Sequence, residues 1–85
     1  MSTSNITFYV DLLGWFGTFI YLLAYYLVST HRLLPDSGTY QGMNLLGGLF
    51  LSINAWHHAA WPSLGVNLAW MLIALLVLLR RRSDR

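Results

Sequence analysis

The 85-residue chain contains no cysteine, no lysine and no glutamate, and only two prolines. Without cysteine it can form no disulfide, thiolate metal site or cysteine nucleophile. Charge of either sign is scarce. Charged residues make up 9% of the sequence, where soluble domains carry about 25%. The acids are Asp11, Asp36 and Asp84. No serine, histidine and acid set sits at credible positions, and no glycine-rich phosphate loop is present. No enzymatic activity, cofactor or metal site is therefore expected. His57 and His58 are adjacent, so on a helix their side chains diverge by about 100° and cannot readily close on one ion.

What is there instead is apolar. Hydrophobic residues make up 56% of the chain, the reverse of what a small soluble domain needs, since short chains bury a smaller fraction of their surface. The sequence is expected to fold in a lipid bilayer, its first partner. The net charge of +2 comes from five arginines, four of them in the last six residues. No basic stripe lies elsewhere, so nucleic acid is not an expected partner. No basic residue precedes the first apolar run, and Ser29-Thr30-His31-Arg32 after it is no small-residue cleavage site. The run is expected to stay in the mature protein rather than act as a signal peptide.

Crossing a hydrocarbon core of roughly 30 Å takes about 20 apolar residues in helix. Leu12 to Val28 supplies one such run, with Phe8 to Val10 as an extension. Residues 29–38 hold His31, Arg32, Pro35, Asp36 and Gly38, which is turn chemistry. From Ser37 to Leu79 no charged residue occurs, a length suited to two crossings. The break between them falls at His57-His58 and Trp61-Pro62, where proline suits a helix's first turn. The expected architecture is all-α: one three-helix membrane domain over residues 1–85. Its spans are about 8–28, 39–56 and 62–79, with a cytoplasmic tail at 80–85. Three crossings put Arg32 and the tail arginines on one side. The positive-inside rule then gives an N-terminus outside and a C-terminus in the cytoplasm, in the cell's inner (plasma) membrane.

At 100° per residue the helices sort into faces. The first gathers Asp11, Gly14, Gly17, Thr18, Tyr21, Ala24 and Tyr25 opposite Leu13, Phe16, Phe19, Ile20 and Leu23. The second gathers Tyr40, Gln41, Asn44, Gly47, Gly48, Ser52 and Asn54 opposite Leu45, Leu46, Leu49, Phe50 and Ile53. The third has a thinner stripe of Ser63, Asn67, Trp70 and Ala74. Small and amide-bearing residues are what membrane helices use to pack together, and the glycines are read as packing residues. The amides and Tyr21 carry two readings, interhelical fasteners or the lining of a solute site, because an unpaired buried amide is costly. Asn44, Asn54, Asn67, Tyr21 and Trp70 are the candidate substrate-binding residues. Trp70 lies deep in the third span beside Asn67, and an aromatic face next to an amide is a way to hold sugars, although core packing serves such a tryptophan equally well. Asp11 is expected as an interfacial cap at the start of the first span.

Three helices, with Pro62 opening the third and Asn67 following in Trp61-Pro62-Ser63-Leu64-Gly65-Val66-Asn67, resemble the half-sized bacterial sugar transporters called SemiSWEETs, of the PQ-loop superfamily. The likeness runs from about Leu12 to Arg82. The chain is also similar to the lipid A biosynthesis N-terminal domain, and to a group of small bacterial membrane proteins with the Gly14-Trp15-Phe16-Gly17-Thr18 and Tyr40-Gln41 pattern. The SemiSWEET resemblance implies a homodimer enclosing a central pathway, with Asn67 in contact with sugar, Gly47 matching a family glycine and Asn54 near a pocket position. Two family features are replaced. Leu51 stands where a pocket tryptophan is expected. Tyr21-Leu22-Leu23-Ala24-Tyr25-Tyr26 stands where the first helix would carry the proline-glutamine hinge.

Two functions follow. One is a homodimeric carrier for a small polar solute, its pathway formed between two three-helix units. The other is a non-transporting accessory or scaffold subunit whose small-residue faces bind another membrane protein.

Overall fold

In a computed structural model that describes residues 3–83, the chain is all-α, with α1 (Thr3–Ser29), α2 (Gly38–His57) and α3 (Trp61–Ser83). The helices alternate in direction. Thr7 of α1 meets His57 at the end of α2, and Arg81 near the end of α3 meets Gly38 at the start of α2. One end of the bundle thus holds the histidine pair and the other the arginines. Of the expected tail, Asp84 and Arg85 lie outside the described residues, and α3 continues through Ser83.

The helices run past the expected spans because nothing stops them. No proline or glycine lies between Thr3 and Phe8, and arginine is a good helix former at 80–82. One expectation changes as a result. With α1 starting at Thr3, Asp11 sits in its third turn and does not cap the helix.

Both loops are built by the same device. Arg32 N–H bonds to Leu27 O at 2.8 Å and His31 N–H to Val28 O at 3.1 Å, while Ala60 N–H bonds to Ala55 O at 2.8 Å and Ala59 N–H to Trp56 O at 3.2 Å. These paired bonds are Schellman caps, whose turning residue adopts a left-handed backbone normally given to glycine. Here those residues are His31 at φ 63° and Ala59 at φ 54°. A side chain in that conformation costs roughly 1–2 kcal/mol. Ala59→Gly is therefore expected to raise the thermal midpoint of helix loss in detergent, and an unchanged or lower midpoint would argue against strain there. Ser37 then opens α2, its Oγ accepting from Tyr40 N–H at 3.0 Å. Pro62 is the second residue of α3, where its missing N–H has no helical partner to lose.

α2 is the middle helix. It packs against both neighbours, whereas the backbones of α1 and α3 do not approach each other. The buried residues of α2 are Gln41, Asn44, Gly47, Gly48, Ser52 and Ala55, which is its small and polar arc. The interior is small-chained: among the described residues the buried hydrophobic ones are Ala24, Ala55 and Ala74, and no large side chain is fully enclosed. Large apolar groups lie outside, with Trp15 73%, Phe19 63% and Leu34 70% exposed. α1 over Asn5–Ser29 and α3 over Trp61–Arg81 are long and apolar enough to cross a membrane. α2 falls short of that measure because its amides and glycines lower its hydropathy.

Candidate functional site

Close approach of α1 and α2 is set by glycines. A Cβ on Gly17 would lie 2.9 Å from Gly47 O, and one on Gly47 would lie 2.9 Å from the Tyr21 ring. One residue further along α2, a Cβ on Gly48 would stand 3.0 Å from the Tyr21 hydroxyl and 2.5 Å from Met71 Cγ of α3. Gly47 and Gly48 thus form a saddle in the middle helix over which Tyr21 lies. Its hydroxyl reaches the far side and donates to Asn67 Oδ1 at 2.8 Å. This bond ties together two helices whose backbones do not meet. Asn67 is itself held by α3, its Nδ2 donating to Ser63 O at 2.9 Å. Tyr21→Phe keeps the ring on the saddle and deletes one bond. A loss of about 1 kcal/mol is expected, read as a lower thermal midpoint with helicity retained; an unchanged midpoint would mean that the bond contributes nothing.

Beside this crossing runs a groove of about 340 Å³ lined by Tyr21, Leu22, Tyr25, Tyr40, Asn44, Val66, Asn67 and Trp70. Four of the five candidate residues, Tyr21, Asn44, Asn67 and Trp70, therefore share one surface. Its walls are aromatic and apolar, and its polar atoms come from two amides and the phenols. Asn44 Nδ2 lies 3.4 Å from Gln41 Oε1, and Gln41 Nε2 donates to Pro35 O at 2.8 Å, which anchors that wall to the loop before α2. Half of Trp70 is exposed, so the groove is open along its α3 edge. Tyr25 and Tyr40 belong to it as well. Their positions on the polar arcs of their helices were the available signal, but tyrosines near helix ends also fit aromatic belts.

Asn54 stands elsewhere. It is ten residues beyond Asn44 on α2, about 15 Å along the axis, near the histidine end. There it lines a smaller recess of about 240 Å³ with Asp11, Gly14, Trp15, Thr18 and Leu51. Asn54 Nδ2 donates to Val10 O at 3.0 Å and approaches Asp11 Oδ1 at 3.4 Å, and its side chain occupies the space a Cβ on Gly14 would need. Its described bonds are those of a fastener between α1 and α2. Leu51 opens onto this recess rather than onto the Tyr21 groove.

The histidines act separately. His57 Nε2 lies 3.0 Å from Thr7 Oγ1, and His58 Nε2 donates to the Asp11 carboxylate at 2.7 Å. Their rings meet edge to face, with centroids 5.1 Å apart. Among the described residues no group of three or more metal-ligating side chains is found. The Asp11–His58 pair is about half exposed on both sides, where ion pairs contribute little to stability. No buried side-chain nitrogen or oxygen among the described residues lacks a hydrogen-bond partner.

No curated protein and no solved structure matches the chain. A protein-family model matches residues 10–85, which take in the Tyr21 groove, the glycine saddle and both loops, and the chain belongs to that family.

Proposed function

We propose that the chain is an integral membrane protein of the cell's inner (plasma) membrane that crosses the bilayer three times, and that two copies pair into a carrier for a small polar solute. The observation that carries the transport reading is the groove: an amide-and-phenol lining, Tyr21, Asn44 and Asn67, faced by the exposed ring of Trp70. Pairing of two such units across their grooves would enclose a pathway that one three-helix unit leaves open.

Membrane insertion is supported by the inside-out distribution of side chains. Exposed apolar residues cover α1 and α3, far beyond the patches of a few hundred Å² tolerated by soluble monomers, while the interior holds amides, glycines and alanines. α2, the helix that falls short of the apolar measure met by the other two, is the one flanked on both sides, so its amides are shielded from lipid. Arg32, Arg80 and Arg81 share one end of the bundle. The positive-inside rule assigns that end to the cytoplasm and the N-terminus to the outside.

The test is uptake. Vesicles reconstituted with the protein should accumulate a member of a panel of labelled monosaccharides, polyols and amino acids. Asn67→Leu and Trp70→Ala should each abolish that uptake while the paired species persists on size analysis. Uptake unchanged in both variants would overturn the carrier.

A specific observation favours a second reading, an accessory subunit of a larger membrane assembly. The buried amides are already bonded within the chain, Asn67 to Tyr21 and Ser63, and Asn44 to Gln41. Leu51 and the proline-free first helix also lack the pocket aromatic and hinge that the SemiSWEET resemblance would supply. Gentle detergent extraction separates the two readings. Recovery as a self-pair alone supports the carrier, and stoichiometric co-purification of another membrane protein supports the subunit.

A further inference from the structure

At the arginine end a further concavity of about 400 Å³ is lined by Asp36, Val77, Arg80 and Arg81. We propose that it is a binding site for the headgroup of an anionic phospholipid, a monoanionic phosphodiester whose acyl chains lie along α3 below Val77. The inference rests on the membrane reading above.

Arg81 Nη1 lies 3.0 Å from where a Cβ on Gly38 would be, so the bare first residue of α2 leaves room for the guanidinium beside the start of that helix. Arg80 adds a second guanidinium from the adjacent position. Among the described residues the one ion pair joins His58 to Asp11 at the other end of the bundle, and Asp36 forms none with Arg80 or Arg81 although it lines the same space. The depth is right for a headgroup. α3 is apolar through Leu79 and becomes cationic at Arg80, so the guanidiniums sit at the boundary where lipid phosphates lie, with Val77 as the apolar floor beneath. Basic pockets at the cytoplasmic ends of membrane helices take anionic headgroups in this way, and the planar guanidinium matches two phosphate oxygens at once.

The charge count selects among anions. Among the described lining residues, two guanidiniums against the Asp36 carboxylate leave one positive charge over, which suits a phosphodiester with a single negative charge. A dianionic phosphate monoester would carry an excess charge into contact with Asp36. Phosphatidylglycerol fits this description, whereas phosphatidylcholine is neutral overall and free phosphate lacks the chains that Val77 and the apolar part of α3 would hold.

The experiment uses the full chain, purified in neutral detergent and titrated in parallel with dioleoyl phosphatidylglycerol, dioleoyl phosphatidylcholine and inorganic phosphate, with bound adducts counted by native mass spectrometry. Retention of phosphatidylglycerol about ten- to thirty-fold above phosphatidylcholine is expected, from two arginines at a membrane surface. Inorganic phosphate at equal concentration should not displace it. Arg80→Gln with Arg81→Gln should erase the preference, Arg32→Gln should keep it, and Asp36→Asn should increase binding of the dianionic phosphatidic acid. Circular dichroism checks that each variant is helical. Should the double glutamine variant lose its helices, Arg80→Lys with Arg81→Lys takes its place and should weaken the preference while keeping the charge. Equal retention of the two lipids, a preference undiminished in the double variant of Arg80 and Arg81, or displacement by inorganic phosphate would each overturn the lipid site. Failure of the chain to enter neutral phosphatidylcholine vesicles would instead overturn the membrane reading, which separates the two claims.

Discussion

Gly17→Val is expected to force α1 off α2 and to cost roughly 3 kcal/mol, the upper part of the range for overpacking an interior. The size of the effect follows from what the new side chain would meet. A Cβ at Gly17 comes to 2.9 Å of Gly47 O, a backbone atom that cannot turn aside as the end of a flexible side chain can. Relief requires the helices to separate, which also lifts Tyr21 from its saddle and breaks its bond to Asn67. Gly42 and Gly65 are the matched controls, because nothing lies within 4 Å of a Cβ at either position. Gly42→Ala and Gly65→Ala should be neutral or stabilising by up to about 1 kcal/mol, since alanine favours a helix over glycine. Thermal unfolding followed by circular dichroism in detergent measures all three. A Gly17→Val variant that melts with the controls would mean that the crossing is not where we place it.

The second large effect belongs to Asn67→Leu. It removes the acceptor of the Tyr21 hydroxyl, leaving that phenol unpaired at the junction of three helices, and a loss of roughly 1–3 kcal/mol is expected. The informative partner is the double variant. Tyr21→Phe added to Asn67→Leu takes away the orphaned hydroxyl, so the pair should be more stable than Asn67→Leu alone, a non-additivity that residues in direct contact produce and distant ones do not. Strict additivity of the two losses would contradict the bond. The same variants bear on function. In a carrier, Asn67→Leu loses uptake whether or not Tyr21→Phe restores stability. In an accessory subunit, restored stability should restore whatever assembly the chain supports.

Much of the bundle was legible from helical periodicity. The arc that joins Gln41, Asn44, Gly47, Gly48 and Ser52 is the arc that α2 buries, and Gly14, Gly17 and Ala24 are buried on α1. Those residues are small or amide-bearing, so steric fit and hydrogen bonding both demand an interior place. The turn after α1 was marked by Pro35, Asp36 and Gly38, and the start of α3 by Pro62. What periodicity cannot give is which helix lies between the others. Tyr21 and Asn67 are 46 residues apart, and their bond depends on the thickness of α2 at Gly47 and Gly48, a property of three helices together. Asn44 and Asn54 share one broad arc on a helical wheel, which discards distance along the axis, and they fall at different sites. Asp11 illustrates a boundary error of the same kind. Read as the start of a helix it is a cap, but as a residue of the third turn it is a partner for Asn54 and His58.

Hydropathy and charge separate over α2 for a related reason. Its amides and glycines lower its mean hydropathy, yet it carries no formal charge from Gly38 to His57, and both flanking helices are strongly apolar. A helix of this kind crosses a bilayer when its polar arc is covered by neighbours, since every buried amide then finds a partner inside the protein.

Whether all three helices cross is the central claim, and the absence of cysteine provides a clean way to measure it. Leu34→Cys places a thiol in the exposed loop at the arginine end, and Ala59→Cys places one in the loop at the histidine end. In intact cells a membrane-impermeant thiol reagent should label Ala59→Cys, and should label Leu34→Cys only after the membrane is broken. Labelling of both positions with equal ease in intact cells, or of Leu34→Cys alone, would contradict the oriented three-span bundle.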